Sequence, residues 1–309
     1  MKKGFISLSI VLVLFFAGIY IFIPRQLNLS GIAYINCTPS AAYRFVSEEA
    51  AWAKWWPEYS STGKSFVYNG YTYRRSKKMY SSLEVTILRG DEQEDSKIIL
   101  LPFPSDSVVI QWQCSMVSGN NPFKKMARYK QATDIKKNMN GILGQLAAFL
   151  GKKENVYGLN IQRVSTTDTA LIATKTILPA YPSTAELYKL VDTLKNYISI
   201  QGAQQTGYPI MNVTLQDDRR YRLMVAVPAS RTLPEKGDLF PRKMVPGAFM
   251  AADVKGGDAA VREALQQMSL YFEDNRKMAM AIPFAALVTD RSKETDTSRW
   301  VTRIYAPVF

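Results

Sequence analysis

The chain contains few of the residue types that commonly carry out acid–base or metal chemistry. Its 309 residues include no histidine, so no imidazole can act as a general base, a nucleophile's partner or a metal ligand. Cys37 and Cys114 are too few for a structural zinc site. They could form a disulfide in an oxidising compartment or remain two buried thiols. We therefore expect no metal and no cofactor, and any catalysis would need carboxylates, tyrosines or lysines.

Three polar clusters are the other candidates for chemistry. Residues 217–220 read Asp-Asp-Arg-Arg, which is typical of a hairpin turn with compensating charges. Residues 256–258 read Gly-Gly-Asp at a predicted helix start, where Asp258 would repel an anion and favours a capping role. Basic residues within 124–130 could face lipid phosphates, DNA or solvent. None of the three clusters identifies a reaction.

Length and composition predict a globular protein of two ordinary domains. The hydrophobic content is 47%, which excludes a disordered chain. The net charge of +13 would suit nucleic acid, anionic lipid or an acidic ligand, and a solvated basic surface is the alternative. No helix-turn-helix, zinc knuckle or RNA-binding signature accompanies the charge. We therefore expect no nucleic-acid partner.

The N-terminal segment predicts a membrane anchor. Residues 5–23 form an uncharged apolar run, long enough to cross a hydrocarbon core of about 30 Å. Lys2 and Lys3 precede this run, so its start should stay in the cytoplasm and the soluble domains should lie on the periplasmic side of the inner membrane. A cleaved signal peptide is the alternative. We assign residues 1–25 to a single-pass anchor.

Residues 26–151 carry the pattern of a first domain. A strand over 31–37 and a helix from Thr38-Pro39 precede Trp52-Ala-Lys-Trp-Trp-Pro57, five further strand-like runs and a long amphipathic helix that ends at Gly151. This order, with its Trp-rich segment, resembles the START/polyketide-cyclase-like superfamily, also called SRPBCC or helix-grip. The resemblance implies an apolar pocket between sheet and helix, unless the domain's own aromatic side chains fill it.

Residues 158–309 carry the pattern of one unit repeated twice, after a short polar linker. Each unit has a strand, a capped helix and two more strands, and the last two strands flank a polar loop over 290–298. The duplication, the closing hairpin and the final Ala-Pro-Val resemble GyrI-like effector-binding domains, in which the ligand lies in a groove between the two units. We therefore predict an α+β chain with an anchor, a helix-grip domain and a GyrI-like domain.

The same resemblance suggests the position of a ligand groove. That family often places a glutamate after a Pro-aromatic pair, and the matching residues here are Pro283-Phe284-Ala285. An alanine at this position removes a partner for a cation or a general base. Alternation along the strands and the family's aromatic position predict that the groove is lined by Tyr181, Met211, Phe249, Ala251, Phe284, Ala285, Leu287 and Tyr305.

These observations favour a membrane-anchored, non-catalytic protein that binds a small, largely apolar molecule or a lipid. A hydrolase or cyclase acting in either pocket is one alternative, and it would need carboxylates, tyrosine or lysine converging in a cleft. A membrane-surface interaction module is another.

Overall fold

The computed structural model describes residues 2–59, 65–104, 106–166, 169–244, 246–278 and 281–308. The fold is mixed α+β, with one antiparallel sheet of six strands and one of eight. The chain divides into two compact units, Met1–Lys152 and Lys153–Phe309.

The first unit has four helices and six strands. They are α1 (Lys2–Phe22), β1 (Gln26–Ile35), α2 (Pro39–Ser47), α3 (Glu49–Trp52), β2 (Phe66–Tyr68), β3 (Tyr71–Lys78), β4 (Ser82–Arg89), β5 (Glu92–Phe103), β6 (Ser107–Val117) and α4 (Pro122–Leu150). The strand order is β1-β6-β5-β4-β3-β2.

The predicted membrane anchor coincides with α1, whose described side chains begin at Ile10. Across the described part of the chain, no helix has the length and apolar character needed to cross a membrane. The anchor prediction is therefore not supported by the structure.

Local sequence signals explain the elements of the first unit. Thr38 caps α2 by accepting a hydrogen bond from the Ala41 amide, and Asn121 caps α4 in the same way. Asn69 and Gly70 adopt φ angles of 48° and 77°, as a two-residue hairpin turn requires. The first strand begins at Gln26, five residues before the predicted start, because residues 26–30 continue the alternation of exposed polar and buried apolar side chains.

Aromatic side chains pack on the buried face of the six-stranded sheet. The Trp52 and Trp56 rings are stacked with centroids 5.2 Å apart, and Trp56 packs against Tyr73 at the same separation. The Trp52 indole N–H donates to the Val46 carbonyl at 2.7 Å, and the Trp112 indole donates to Ser96 Oγ at 2.9 Å. The Trp-rich segment is thus a satisfied part of the core.

The cysteines belong to this core. Cys37 and Cys114 are both buried and no disulfide joins them. Burial raises the pKa of the Cys114 thiol to about 12, so this thiol stays protonated at neutral pH.

The second unit has three helices, eight strands and a short 3-10 turn at Thr297–Arg299. Its elements are α5 (Lys153–Tyr157), β7 (Gln162–Thr166), β8 (Thr169–Leu178), α6 (Thr184–Ile200), β9 (Ile210–Leu215), β10 (Tyr221–Ala229), β11 (Phe240–Met244), β12 (Gly247–Lys255), α7 (Asp258–Asp274), β13 (Phe284–Leu287) and β14 (Val301–Val308).

The predicted duplication is present in the second unit. The first repeat is β8-α6-β9-β10 and the second is β12-α7-β13-β14. Their strands stand in the order β8-β10-β9 and β13-β14-β12, and the repeats meet where β9 pairs with β13.

Each repeat completes the edge of the other. The strand before the first repeat, β7, pairs with β12 of the second, and β11, which precedes the second repeat, pairs with β8 of the first. The chain passes from β7 at residue 166 to β8 at 169, and from β11 at 244 to β12 at 247. Such short connections between distant parts of one sheet require the sheet to curl, which makes one of its faces concave.

Both long helices of the unit pack on the sheet. The α6 helix contacts β8 and β10, and α7 contacts β12 and β14. Ser183 and Glu186 form the predicted capping box at the start of α6. The segment predicted as a linker contains α5, where the buried Tyr157 hydroxyl donates to Asp274 Oδ2 at 2.9 Å.

Candidate functional site

The concave face of the eight-stranded sheet forms a groove across the meeting line of the two repeats. The groove has a volume of about 820 Å³ and draws its walls from both repeats and from the two exchanged strands. Because paired residues of neighbouring strands point to the same face, the register identifies which side chains face the groove. Ala286 pairs with Ile210 across the meeting line and with Arg303 on its other side.

An aromatic triad occupies the second-repeat side of the groove. Phe284 and Tyr305 are cross-strand partners, and their rings are stacked with centroids 5.0 Å apart and planes 16° from parallel. The Phe249 ring meets both edge-on, at 5.9 and 6.1 Å. Such rings offer a flat apolar surface to a ligand ring.

Small apolar residues form the floor beside the triad. Ala286 and Ile210 line the groove directly. On the first-repeat side, Ile210 packs on a buried cluster that contains Ala173 and Ala226. The small alanine side chains occupy little of the groove, which leaves room for a ligand above the backbone.

The groove continues past Tyr305 into a smaller polar pocket. This pocket has a volume of about 310 Å³ and shares Ser165, Thr166 and Tyr305 with the groove. Arg303 donates two hydrogen bonds to Asp253, at 2.6 and 2.8 Å, in a bidentate pair at its wall. The Thr166 hydroxyl oxygen is buried and has no hydrogen-bond partner within the described part of the chain.

The ion pair is intact at neutral pH. The hydrogen bond from Arg303 lowers the pKa of Asp253, against a smaller opposing effect of burial. The same contact raises the pKa of Arg303. Both charges are therefore present and compensate one another in the pocket.

The structure brings four of the eight predicted residues together. Phe284 and Tyr305 line the groove, Ala251 lines the polar pocket, and Phe249 completes the triad.

Three predicted residues lie on the opposite face of the sheet, where the helices pack: Met211, Ala285 and Leu287. Ala285 pairs with Ile304 and Met211, and Leu287 pairs with Thr302, all of them buried. Successive side chains of a strand point to opposite faces of the sheet, so Ala285 and Leu287 face away from the side on which Phe284 lies. A glutamate at position 285 would not reach the groove, and the neighbouring residue that does face it is Ala286.

Tyr181, the eighth predicted residue, lies before α6. Its ring packs 5.7 Å from that of Tyr221, and the Arg262 guanidinium lies 4.7 Å from its centroid. Burial raises the pKa of Tyr181. It is not among the described residues that line the groove. Ligand contact at all eight positions stays a prediction.

Sequence reasoning missed the polar part of the site. Thr166 and Arg231 line the groove, and Asp253 with Arg303 lines the polar pocket. Alternation along β14 places Arg303 on the same face as Tyr305, but its pairing with Asp253 depends on the register between β12 and β14.

The first unit has a polar concavity of about 820 Å³ on the solvent face of its sheet. Several of its side chains are bonded to one another: Ser115 donates to Asn28 Oδ1 at 2.8 Å, and Thr86 donates to Asp95 Oδ1 at 3.4 Å. An antiparallel sheet with one solvated face has this composition, so we regard the groove of the second unit as the candidate site.

Comparisons with known proteins give matches among solved structures only. No family model and no curated protein matches the chain. EcmrR in its complex with DNA matches with a TM-score of 0.45 and 16% identity, over 60% of this chain and 69% of that one. SAV2435 bound to tetraphenylphosphonium matches at 0.32 and 13%, over 48% and 94%. A hydrolase from Listeria innocua matches at 0.38 and 10%, over 48% and 91%.

These identities and TM-scores are too low to assign the second unit to a family. Its architecture is defined by its own topology. That topology is a duplicated strand–helix–strand–strand unit with a concave face between the repeats. The helix-grip and GyrI-like assignments remain resemblances of sequence pattern.

Proposed function

We propose that the second unit binds a small, largely apolar molecule with an aromatic or flat ring system in the groove. The aromatic triad beside an alanine-floored groove is the observation that supports this proposal. Removing apolar surface from water is worth about 25 cal/mol per Å², so burying 200 Å² of a ligand would contribute about 5 kcal/mol before association costs.

Binding without turnover is the activity that the site supports best. The chain has no histidine, and the carboxylate at the polar pocket, Asp253, is held in a bidentate ion pair. A general base must be able to accept a proton from the substrate, and a carboxylate paired in this way is a weak base. A hydrolase or cyclase is therefore the less favoured alternative, and an interaction module is a further one.

A fluorescence titration with N-phenyl-1-naphthylamine tests the proposal. The full chain should enhance the probe's emission with a saturable dependence. Phe284→Ala should weaken binding about tenfold or more, since it removes half of the ring stack. Ile200→Ala is the matched control, because that exposed apolar side chain lies on α6, and it should leave the affinity unchanged.

Two results would contradict the proposal. Equal effects of the two substitutions would show that the probe binds outside the groove. Turnover of an activated ester that is lost in Tyr305→Phe would support the enzyme alternative instead. Native mass spectrometry of protein purified from its host would look for a copurifying ligand.

The cellular location stays a prediction. A reporter that is active only in the cytoplasm, fused after residue 309, should be inactive if the soluble domains lie on the periplasmic side. Strong reporter activity would contradict that placement.

A further inference from the structure

The charged residues around the groove indicate the charge of its ligand. Arg231 and Lys243 line the main groove, whereas none of its described lining residues is an aspartate or glutamate. The polar pocket adds Arg303 and Asp253, which compensate one another. A cation in the groove would meet no available counter-charge among the described residues, while an anion would meet at least one guanidinium.

Arg231 is placed to act on a ligand. It follows β10, its side chain is exposed, and its Nη2 donates a hydrogen bond of 2.6 Å to the Gln201 carbonyl. A guanidinium has five N–H donors, so this contact holds the group in position and leaves other donors for an anion.

Hydroxyl groups complete an anion-compatible lining. Ser230, Thr232 and Tyr208 also line the groove, and Thr166 contributes a buried hydroxyl that has no hydrogen-bond partner among the described residues. Hydroxyls can donate to an oxyanion or accept from a neutral head group.

The aromatic triad weakly opposes this preference, because ring faces attract cations. Phe284 and Tyr305 are stacked, however, so each covers one face of the other. The Phe249 ring is buried and contributes an edge-on contact. The triad therefore presents fewer ring faces to a cation than three separate rings would, although the outer faces of the stacked pair remain for a flat ligand ring.

We infer that the groove selects anionic or neutral aromatic molecules and discriminates against lipophilic cations. This inference rests on the proposed function, since it concerns the same groove. The ligand class is a flat apolar body that carries a carboxylate, sulfonate or phosphate, or a neutral hydrogen-bonding head.

A pair of probes with the same shape and opposite charge tests the inference. Tetraphenylborate and tetraphenylarsonium would each be titrated calorimetrically into the full chain, in sodium buffer because the potassium salt of the borate is poorly soluble. We expect the borate to bind at least about tenfold more tightly, with the difference shrinking as the sodium chloride concentration rises, since salt screens exposed charges.

Substitutions locate the charge effect. Arg231→Gln should weaken the borate several-fold without weakening the arsonium. Lys189→Gln is the matched control, because it removes one exposed cation from α6, and it should change neither affinity. Ala286→Glu adds a carboxylate to the groove floor and should shift the preference toward the arsonium.

The outcomes separate the two proposals. Equal or tighter binding of the arsonium, with both ions weakened by Phe284→Ala, would overturn the charge inference and leave the binding groove standing. Indistinguishable effects of the Arg231 and Lys189 substitutions would also overturn it, because the preference would then reflect net charge. If neither ion binds while N-phenyl-1-naphthylamine still binds in a Phe284-dependent way, the charge inference fails and the proposed function stands, because the tetraphenyl ions are bulkier than a flat ring. If Phe284→Ala weakens none of the three probes, both proposals fail.

Discussion

Two adjacent alanines on β13 should respond in opposite ways to the same substitution. Ala285 and Ala286 are 4% and 5% exposed, so burial alone does not distinguish them. Ala285 pairs with Ile304 on the helix-packed face, whereas Ala286 pairs with Arg303 in the groove. A glutamate at 285 would enter the core without a partner, and one at 286 would lie beside a guanidinium.

The expected magnitudes follow from these surroundings. A carboxyl with an ordinary pKa of about 4.3 costs about 3.7 kcal/mol to keep protonated at pH 7, and overpacking adds about 1–3 kcal/mol. Ala285→Glu should therefore destabilise the second unit by about 5 kcal/mol at pH 7, which is comparable to the total stability of many domains. Ala286→Glu should cost about 1 kcal/mol or less, since its charge stays partly solvated and paired.

The pH dependence gives a second test. In Ala285→Glu the folded-state pKa would be raised above the unfolded value. The unfolded state would then release its proton first, and the destabilisation should grow by about 1.4 kcal/mol per pH unit above about pH 4.3. Urea denaturation at pH 5, 6 and 7 measures this slope, with Ala285→Gln as the uncharged control. A pH-independent penalty, or a larger penalty for Ala286→Glu, would refute the assignment of faces.

Two further predictions concern the stability of the second unit. Arg291→Met should destabilise the unit by about 3 kcal/mol in chemical denaturation, because it breaks a 2.8 Å pair between an almost fully buried guanidinium and Asp258. Arg299→Met, at an exposed pair, should stay within about 0.5 kcal/mol of the wild type, and equal losses would contradict this account. A fragment of residues 153–309 should melt cooperatively and at a higher temperature than one of residues 158–309, because only the longer fragment keeps the buried tyrosine hydroxyl bonded to Asp274; coincident melting curves would show that the short helix is dispensable.

Much of the secondary structure follows from local patterns. The hairpin at Asn69-Gly70, the capping box at Ser183 and the repeated strand–helix–strand–strand order are all readable from residue types a few positions apart. The duplication follows in the same way, whereas Phe284 is predicted from the family resemblance and Tyr305 from alternation along its strand.

The missed features depend on contacts between distant residues. Alternation along β13 divides its residues between two faces but does not show which face the helices cover. Ala285 lies on the helix-covered face, and only the structure shows this. The pair of Arg303 and Asp253 joins residues fifty positions apart, so its formation requires the register of β12 and β14. Sequence alternation alone cannot supply either fact.

The exchange of β7 and β11 between the repeats has a mechanical consequence for ligand entry. Among the described residues, the repeats meet through two strand-paired positions, Ala285 with Met211 and Ala286 with Ile210. Hydrogen bonds to the carbonyls of Pro209 and Pro283 flank these pairs. We expect this short line to bend more easily than the nine-pair ladder of β8 and β10. Thr166 and Thr169 are three positions apart in the chain but lie in strands of different halves of the sheet, and the same holds for Met244 and Gly247. We expect these short separations along the chain to limit how far the two halves can splay apart. We therefore expect a ligand to enter and leave through the ends of the groove. A bulky molecule that could enter only through the open side should bind slowly.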